Sequence, residues 1–394
     1  MNRPLYYTII AAELLSDLGN QFVQLTLLDI LILKENNAGS NLLTMYVLEL
    51  APSIFLSPFA GLWIDRIGAK KWLIIINLAK CVIIWMFIYC SSVWVILLIY
   101  LGHIICSLFF NIGRLTLSPI IISKDRLISF NALIERISLG GRVFGPFLIG
   151  WVILNTNQEI AFGIAGIFFM LSTCSLFGLT LFGQLFQHED EGYKHIKNQR
   201  SILSNFYTPF KINPYLKSYF AIFGVVLMGG GIINFGFPLF FKTHVGENIA
   251  DWGIVLSGFQ AGSCMATFLL PRFSNIFRQQ SLIFSTFFII GGSIAILCQL
   301  STHIQMMLLM VPLGFGFTLM HIYIESHIQK NTQKSLLGKT ISVLSIYKGV
   351  CYLGTIFGSA FIVEISSPKF LLLFGSLVML SASLMVKIFS RNNF

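Results

Sequence analysis

The sequence predicts an all-α membrane protein of twelve transmembrane helices in two six-helix bundles. Three observations carry that expectation: the composition, the spacing of the apolar runs and the placement of the bases. Hydrophobic residues make up 56% of the 394, and charged residues only 11%. A soluble globular chain carries about 25% charged residues. The mean hydropathy is +0.80, which places the chain in the membrane class. The 38 phenylalanines suit helix faces that meet lipid.

A spanning helix needs about 20 mainly apolar residues. Twelve runs meet that length, at 5–33, 42–62, 72–91, 93–114, 131–154 and 160–185, then 216–241, 251–270, 281–300, 303–327, 338–363 and 368–389. The longest polar segment, Gln187 to Lys217, separates six runs from six. The expected organisation is a first bundle over 1–186, a cytoplasmic linker over 187–215 and a second bundle over 216–394.

The bases then orient the chain. Nineteen Lys and Arg residues fall in connections on one side, against Lys34, Lys242 and Lys369 on the other. The first group includes Arg3, the 66–71 turn, Arg114, Lys124, Arg126 and the linker. Under the positive-inside rule this bias puts both termini and the linker in the cytoplasm of a bacterial cell, with the chain in its inner membrane. The net charge of +10 is therefore loop charge that sets topology, and no nucleic-acid partner is expected. The seven cysteines all lie inside apolar runs without a Cys-x-x-Cys pair. They read as small apolar residues, so no metal is expected. The first run carries Glu13 and Asp17 and lacks a small-residue cleavage site, so it is expected to be a span and not a cleaved signal.

The connection between the second and third runs reads Gly61-Leu-Trp-Ile-Asp65-Arg66-Ile-Gly68-Ala-Lys70-Lys71. Gly61 and Gly68 are expected to permit a tight turn and close helix ends. The bases would sit at the anionic inner leaflet. The spacing Gly-x-x-x-Asp-Arg-x-Gly-x-Lys resembles the loop between helices 2 and 3 of the major facilitator superfamily of transporters. In the fifth run, Gly141-Arg-Val-Phe-Gly145-Pro146-Phe-Leu-Ile-Gly150 resembles the antiporter signature of that superfamily's exporters, with Ile149 in place of the first closing glycine. Arg114, Pro119, Lys124-Asp-Arg126 and Asn131-Ala-Leu133 resemble the branch that holds macrolide-efflux and enterobactin-exporter-like drug:proton antiporters. The resemblance is clear over about residues 10–155. It implies the major facilitator fold, a substrate held at the membrane midplane and a latch role for Asp65 and Arg66.

Charges inside spans are costly and line a cavity or pair with one another. In the first run Glu13, Asp17, Gln21 and Gln24 recur at helical spacing and share one face. Two acids a turn apart, both removed from water, are what a proton-coupled carrier requires. Glu49, Glu135, Arg142, Glu325 and Lys348 complete the expected proton-coupling and substrate set, with His321 and His327 near Glu325. A shift of 206 residues superposes Arg142 on Lys348, and it superposes Asp65-Arg66 on Pro271-Arg272, so the second copy of the turn has lost its acid.

The function expected is secondary export of a small amphiphilic drug or metabolite by proton-coupled antiport. A siderophore or other carboxylate, a lysophospholipid or a facilitative uptake carrier stands as the alternative. No cofactor is expected, and an enzyme is not, because no nucleophile–base pair or ligand cluster is evident. The partners expected are the substrate, protons and the lipid bilayer, with a monomer as the working form.

Overall fold

The computed structural model describes residues 3–90, 92–121, 124–182, 215–246, 248–269, 280–330 and 337–393. Among them are twelve α-helices, each overlapping one expected span. The first six are α1 (Arg3–Leu28), α2 (Ala38–Ile67), α3 (Ala69–Ile88), α4 (Val93–Ile121), α5 (Lys124–Asn155) and α6 (Gln158–Phe182). The second six are α7 (Tyr215–His244), α8 (Ile249–Leu269), α9 (Gln280–Leu297), α10 (His303–Lys330), α11 (Leu337–Ile365) and α12 (Pro368–Asn393). Apolar runs of this length form helices because each backbone group then finds its partner within its own segment. Seven of the twelve, α3, α4, α6, α7, α8, α10 and α11, are long and apolar enough to cross a membrane.

Short polar signals set the helix ends. The side chain of Asn157 accepts the backbone N–H of Ile160 at 2.8 Å and starts α6, and Asn248 accepts that of Ala250 at 2.9 Å before α8. Ser367 accepts the Phe370 N–H at 3.2 Å, with Pro368 as the first residue of α12. Helices α2 and α3 are separated by Gly68 alone, at φ +87°. A side chain there would be strained. The expected turn is thus shorter than its sequence pattern: Gly61 lies inside α2, and only Gly68 takes a left-handed conformation.

The chain divides into two compact units, Met1–Glu35 with Thr44–Ile196, and Asn36–Leu43 with Lys197–Phe394. In the first unit α1 packs chiefly on α6 and α5, and α3 lies against α4 and α6. Asn77 of α3 donates to Ser172 of α6 at 2.8 Å, and Ser172 donates to the Ala12 carbonyl of α1 at 2.7 Å, so one hydroxyl ties three helices together. Near the α2–α3 junction, Trp63, Trp72 and Phe109 pack with ring centroids 5.5–5.9 Å apart, and the Trp72 indole donates to the Phe109 carbonyl at 3.2 Å.

In the second unit the most extensive pairing is α8 with α10, followed by α9 with α12. The reason lies in Gly258-Phe-Gln-Ala-Gly262 on α8 and Gly314 on α10. A Cβ at Gly258 or Gly262 would land on the Met307 or Val311 carbonyl oxygen, and one at Gly314 on that of Phe259. Small residues four apart let two backbones touch, which is where helix association in a membrane gains its dispersion energy. The large side chains left exposed, such as Phe144, Phe147 and Trp151 on α5 or Phe357 and Phe361 on α11, are apolar, as lipid-facing surfaces are.

Gly262→Ala is expected to destabilise the protein by about 2 kcal/mol through forced separation of α8 from α10. Gly292→Ala, where a Cβ meets nothing within 4 Å, is expected to be neutral. Thermal melting of the two purified variants in detergent makes the comparison, and equal melting temperatures would contradict this account of the crossing.

Candidate functional site

Helix α1 gathers much of the charge inside the first unit. Glu13 Oε1 meets Arg114 Nε of α4 at 2.9 Å, with the two side chains only 12% and 13% exposed. The side chain of Arg114 also donates to Asn111 at 2.9 Å. One turn further along α1, Asp17 accepts a short hydrogen bond from Ser138 of α5, which is itself buried. Between these acids, Lys80 of α3 reaches α1 from the other side. Its ammonium donates to Ser16 Oγ and Asn20 Oδ1, each at 3.2 Å, and lies 5.0 and 4.9 Å from the ring centroids of Phe110 and Phe169. Lys80 is completely buried. Ser107 of α4 donates to the same Asn20 oxygen at 3.4 Å.

Glu13 lies ten residues from the start of α1 and Arg114 seven residues from the end of α4, comparable distances from one face for helices that run in opposite directions. Asp17 and Ser138 each lie fourteen residues from the start of their helices, as suits helices that run the same way. An isolated charge at mid-span costs about 3 kcal/mol on insertion scales. Each charge here has a partner of opposite sign or a set of polar oxygens.

The second unit holds a different cluster. Lys348 of α11 forms an ion pair with Glu325 of α10, and His321, one turn before Glu325, approaches Lys348 and Glu325 at 3.4 Å each. The Lys348 ammonium stands 5.4 Å from the Phe223 ring centroid. This cluster is open where that of the first unit is closed: the Glu325, Lys348 and His321 side chains are 28%, 30% and 43% exposed.

The remaining predicted site residues are distributed as follows. Gln21 packs at the helix-5 motif: a Cβ at Gly145 would land on its Oε1, and one at Gly141 would lie 3.6 Å from its Nε2. Gly145, Pro146 and Gly150 are buried, so the motif serves as the seat of α1 on α5. Gln24 and Arg142 are exposed and Glu49 is half-buried. Arg66 is exposed and Lys70 half-buried at the α2–α3 junction, next to Gly68. The backbones of Gly61, Asp65 and Glu135 belong to α2 and α5; the side chains of Asp65 and Glu135 lie outside what is described, as do Pro271, Arg272 and most of the linker.

One expectation changes. Arg114 is not a residue of the 4–5 connection. It lies within α4, because the helix runs on to Ile121, and it pairs with Glu13. Asp29 is buried in a π-helical turn, where it meets Lys34 at 3.0 Å and accepts from Gln158 at 2.7 Å. Lys80 was visible as the one base in the middle of the third run. Its partners Ser16, Asn20 and Ser107 carried no signal, because small polar residues are common in membrane helices. Among the described residues no group of three or more His, Cys, Asp or Glu is placed to hold a metal ion.

No curated protein sequence matches the chain. Solved structures do match, over nearly the whole length of both partners. The nucleoside transporter NupG superposes with a TM-score of 0.70 at 16% identity, covering 100% of both chains. An auto-inhibited peptide transporter of the POT family gives 0.71 at 13%, covering 99% of this chain and 97% of its own. A bacterial homologue of the iron transporter ferroportin, in an inward-facing state, gives 0.64 at 14%, covering 100% of both. At such identities the likeness shows the fold, and their differing cargoes show how little the fold says about substrate. The sequence profile of the Major Facilitator Superfamily matches residues 6–359, and the chain belongs to that superfamily of membrane transporters.

Proposed function

We propose that this protein is a secondary active transporter that exports a small amphiphilic molecule, a drug or a metabolite, by alternating access and in exchange for protons. Twelve transmembrane crossings, with both termini and the linker in the cytoplasm of a bacterial cell and a monomer as the working form, complete the reading. It is supported by the twelve helices at the twelve apolar runs and by the distribution of bases in the sequence.

The observation that carries the proposal is the Glu325–Lys348–His321 cluster. A carboxylate, an ammonium and an imidazole meet within two helices of membrane-crossing length, yet each keeps more than a quarter of its side chain exposed. A pair left open in this way, more so than Glu13–Arg114, has access to protons and to a ligand. Protonation of Glu325 removes the charge that holds Lys348. The released ammonium is then able to bind an anionic group. This favours the second reading, in which the cargo bears a carboxylate, as a siderophore does. In the first unit Glu13 and Asp17, with Gln21, Gln24, Glu49, Glu135 and Arg142, are the proposed companions of this exchange.

The junction of α2 and α3 is the proposed latch. Gly68, at φ +87°, turns the chain between Asp65-Arg66 at the end of α2 and Lys70 at the start of α3, and by resemblance the superfamily's corresponding loop stabilises the outward-facing state.

Proteoliposomes carrying the full chain, with an imposed pH gradient, test the transport reading against a panel of cationic, carboxylate-bearing and neutral amphiphiles. Uphill movement of at least one class is expected in wild type, and its loss in Glu325→Gln and in the Glu13→Gln/Asp17→Asn double variant. Counterflow without accumulation would point to a facilitative carrier and refute proton coupling. For the latch, Asp65→Asn is expected to move the resting population toward inward-facing while leaving substrate affinity unchanged; cysteine accessibility from each side of the membrane reads the shift, and an unchanged pattern would dismiss the latch.

A further inference from the structure

Lys80 has no role in the reading above, yet it is the largest charged side chain sealed inside the protein among the described residues. It lies near the middle of α3, about 17 Å from one end and about 12 Å from the other at 1.5 Å per residue. No carboxylate stands within ion-pair distance of it among the described residues, and its direct partners are neutral: Ser16 and Asn20 of α1 and the faces of Phe110 and Phe169. The acids whose charge acts on it are Glu13 and Asp17. Ser16 and Asn20 are the residues that bracket Asp17 on the same helix, one before and three after.

The other groups facing this ammonium are His103, Cys106 and Ser107 of α4. Behind Glu13 stands Arg114, and behind Asp17 stands Ser138. Among the described residues the buried charges of this core are two acids and two bases. Arg114 meets Glu13 directly. The described partner of the Asp17 carboxylate is the Ser138 hydroxyl, and Lys80 is the buried base placed to balance its charge through the Ser16–Asn20 bracket.

We propose that Lys80 is a positioning residue, the fixed counter-charge that sets the pH at which Asp17 of α1 takes up a proton and that holds α1 on α3 while it does so. This deepens, and rests on, the reading of Asp17 as a proton-exchanging group. An ammonium with this role must be close enough to act on the acid, but not in contact with it, because a direct pair such as Arg114 with Glu13 would hold the carboxylate in its charged form. The three-helix environment matches: the amide of Asn20 and the hydroxyl of Ser16 hold the ammonium in place, and the two aromatic faces exclude water from it.

The test uses the full-length protein in lipid, with the C=O stretch of protonated carboxyl groups followed by infrared spectroscopy as the pH is lowered. The band of interest is the one missing from Asp17→Asn. Lys80→Met is expected to move the midpoint of such a band to higher pH by about one unit, a tenfold change in proton affinity, and Lys80→Arg to leave it in place. Because Lys80→Met alone leaves a net negative charge in the membrane and is liable to fold poorly, Lys80→Met/Asp17→Asn is made beside it. That double variant removes one charge of each sign and is expected to melt above Lys80→Met. An unmoved midpoint in Lys80→Met, the absence of any α1 band in wild type, or a double variant no more stable than Lys80→Met would each overturn the proposal. Loss of pH-driven transport with the band shift intact would count against the export reading and leave Lys80 in its role.

Discussion

A charge inside an apolar helix has to be answered by another helix, and the first unit is organised around that requirement. Lipid offers no hydrogen bonds, so every polar group placed at depth must find its partner within the protein. Helix α1 concentrates these groups. Through it, Glu13 engages α4, Asp17 engages α5, Ser16 and Asn20 engage α3, and the Ala12 carbonyl engages α6. Such contacts are specific in a way that apolar packing is not. A leucine slides past a leucine at little cost, whereas an ammonium displaced by one turn loses its oxygens. The polar stripe therefore sets the register of four neighbouring helices at once.

The two units handle their charges differently, and the difference suggests different duties. In the first unit the groups are sealed: Lys80 is wholly buried and Glu13–Arg114 nearly so. In the second, Glu325, Lys348 and His321 remain partly exposed. Close backbone contact compensates there, since α8 and α10 meet through Gly258, Gly262 and Gly314, with one contact between Asp251 and His303 at 3.6 Å near the ends of the two helices. A unit held by glycine contacts can leave its ionic cluster free for chemistry; a unit held by ionic contacts has less freedom to do so. In the proposed cycle the open cluster is the place where cargo and proton compete, and α1 adjusts the first unit to match.

The helices were legible in the sequence because a span is a property of about 20 consecutive residues, and composition over such a window is hard to mistake. The ends were less so: α4 runs to Ile121, past the expected end at residue 114, because Leu115 and Leu117 continue the apolar run beyond a base that Glu13 neutralises. The candidate site was legible only as a roll of charges. Spacing along one helix identifies a face but says nothing of which helix lies opposite, so the pairing of Glu13 with Arg114 and of Glu325 with Lys348 could not be read. Gly61 and Gly68 looked alike in the turn pattern, and only one of them adopts a positive φ. The Gly258–Gly262 contact was written plainly in the sequence as two glycines four apart, but its weight depends on Gly314 across the interface.

The central claim is that the charges of α1 hold its neighbours in register, so that protonation of its acids loosens the ties to α4 and α5. Hydrogen–deuterium exchange of the lipid-embedded protein at two pH values, corrected for the intrinsic pH dependence of amide exchange, tests it most directly. The account predicts faster exchange at the lower pH in α1, α4 and α5 and at the Gly68 junction, and no such response in a Glu13→Gln/Asp17→Asn variant. A wild-type protein whose first unit exchanges identically at both pH values, or a double variant that keeps the full response, would contradict it.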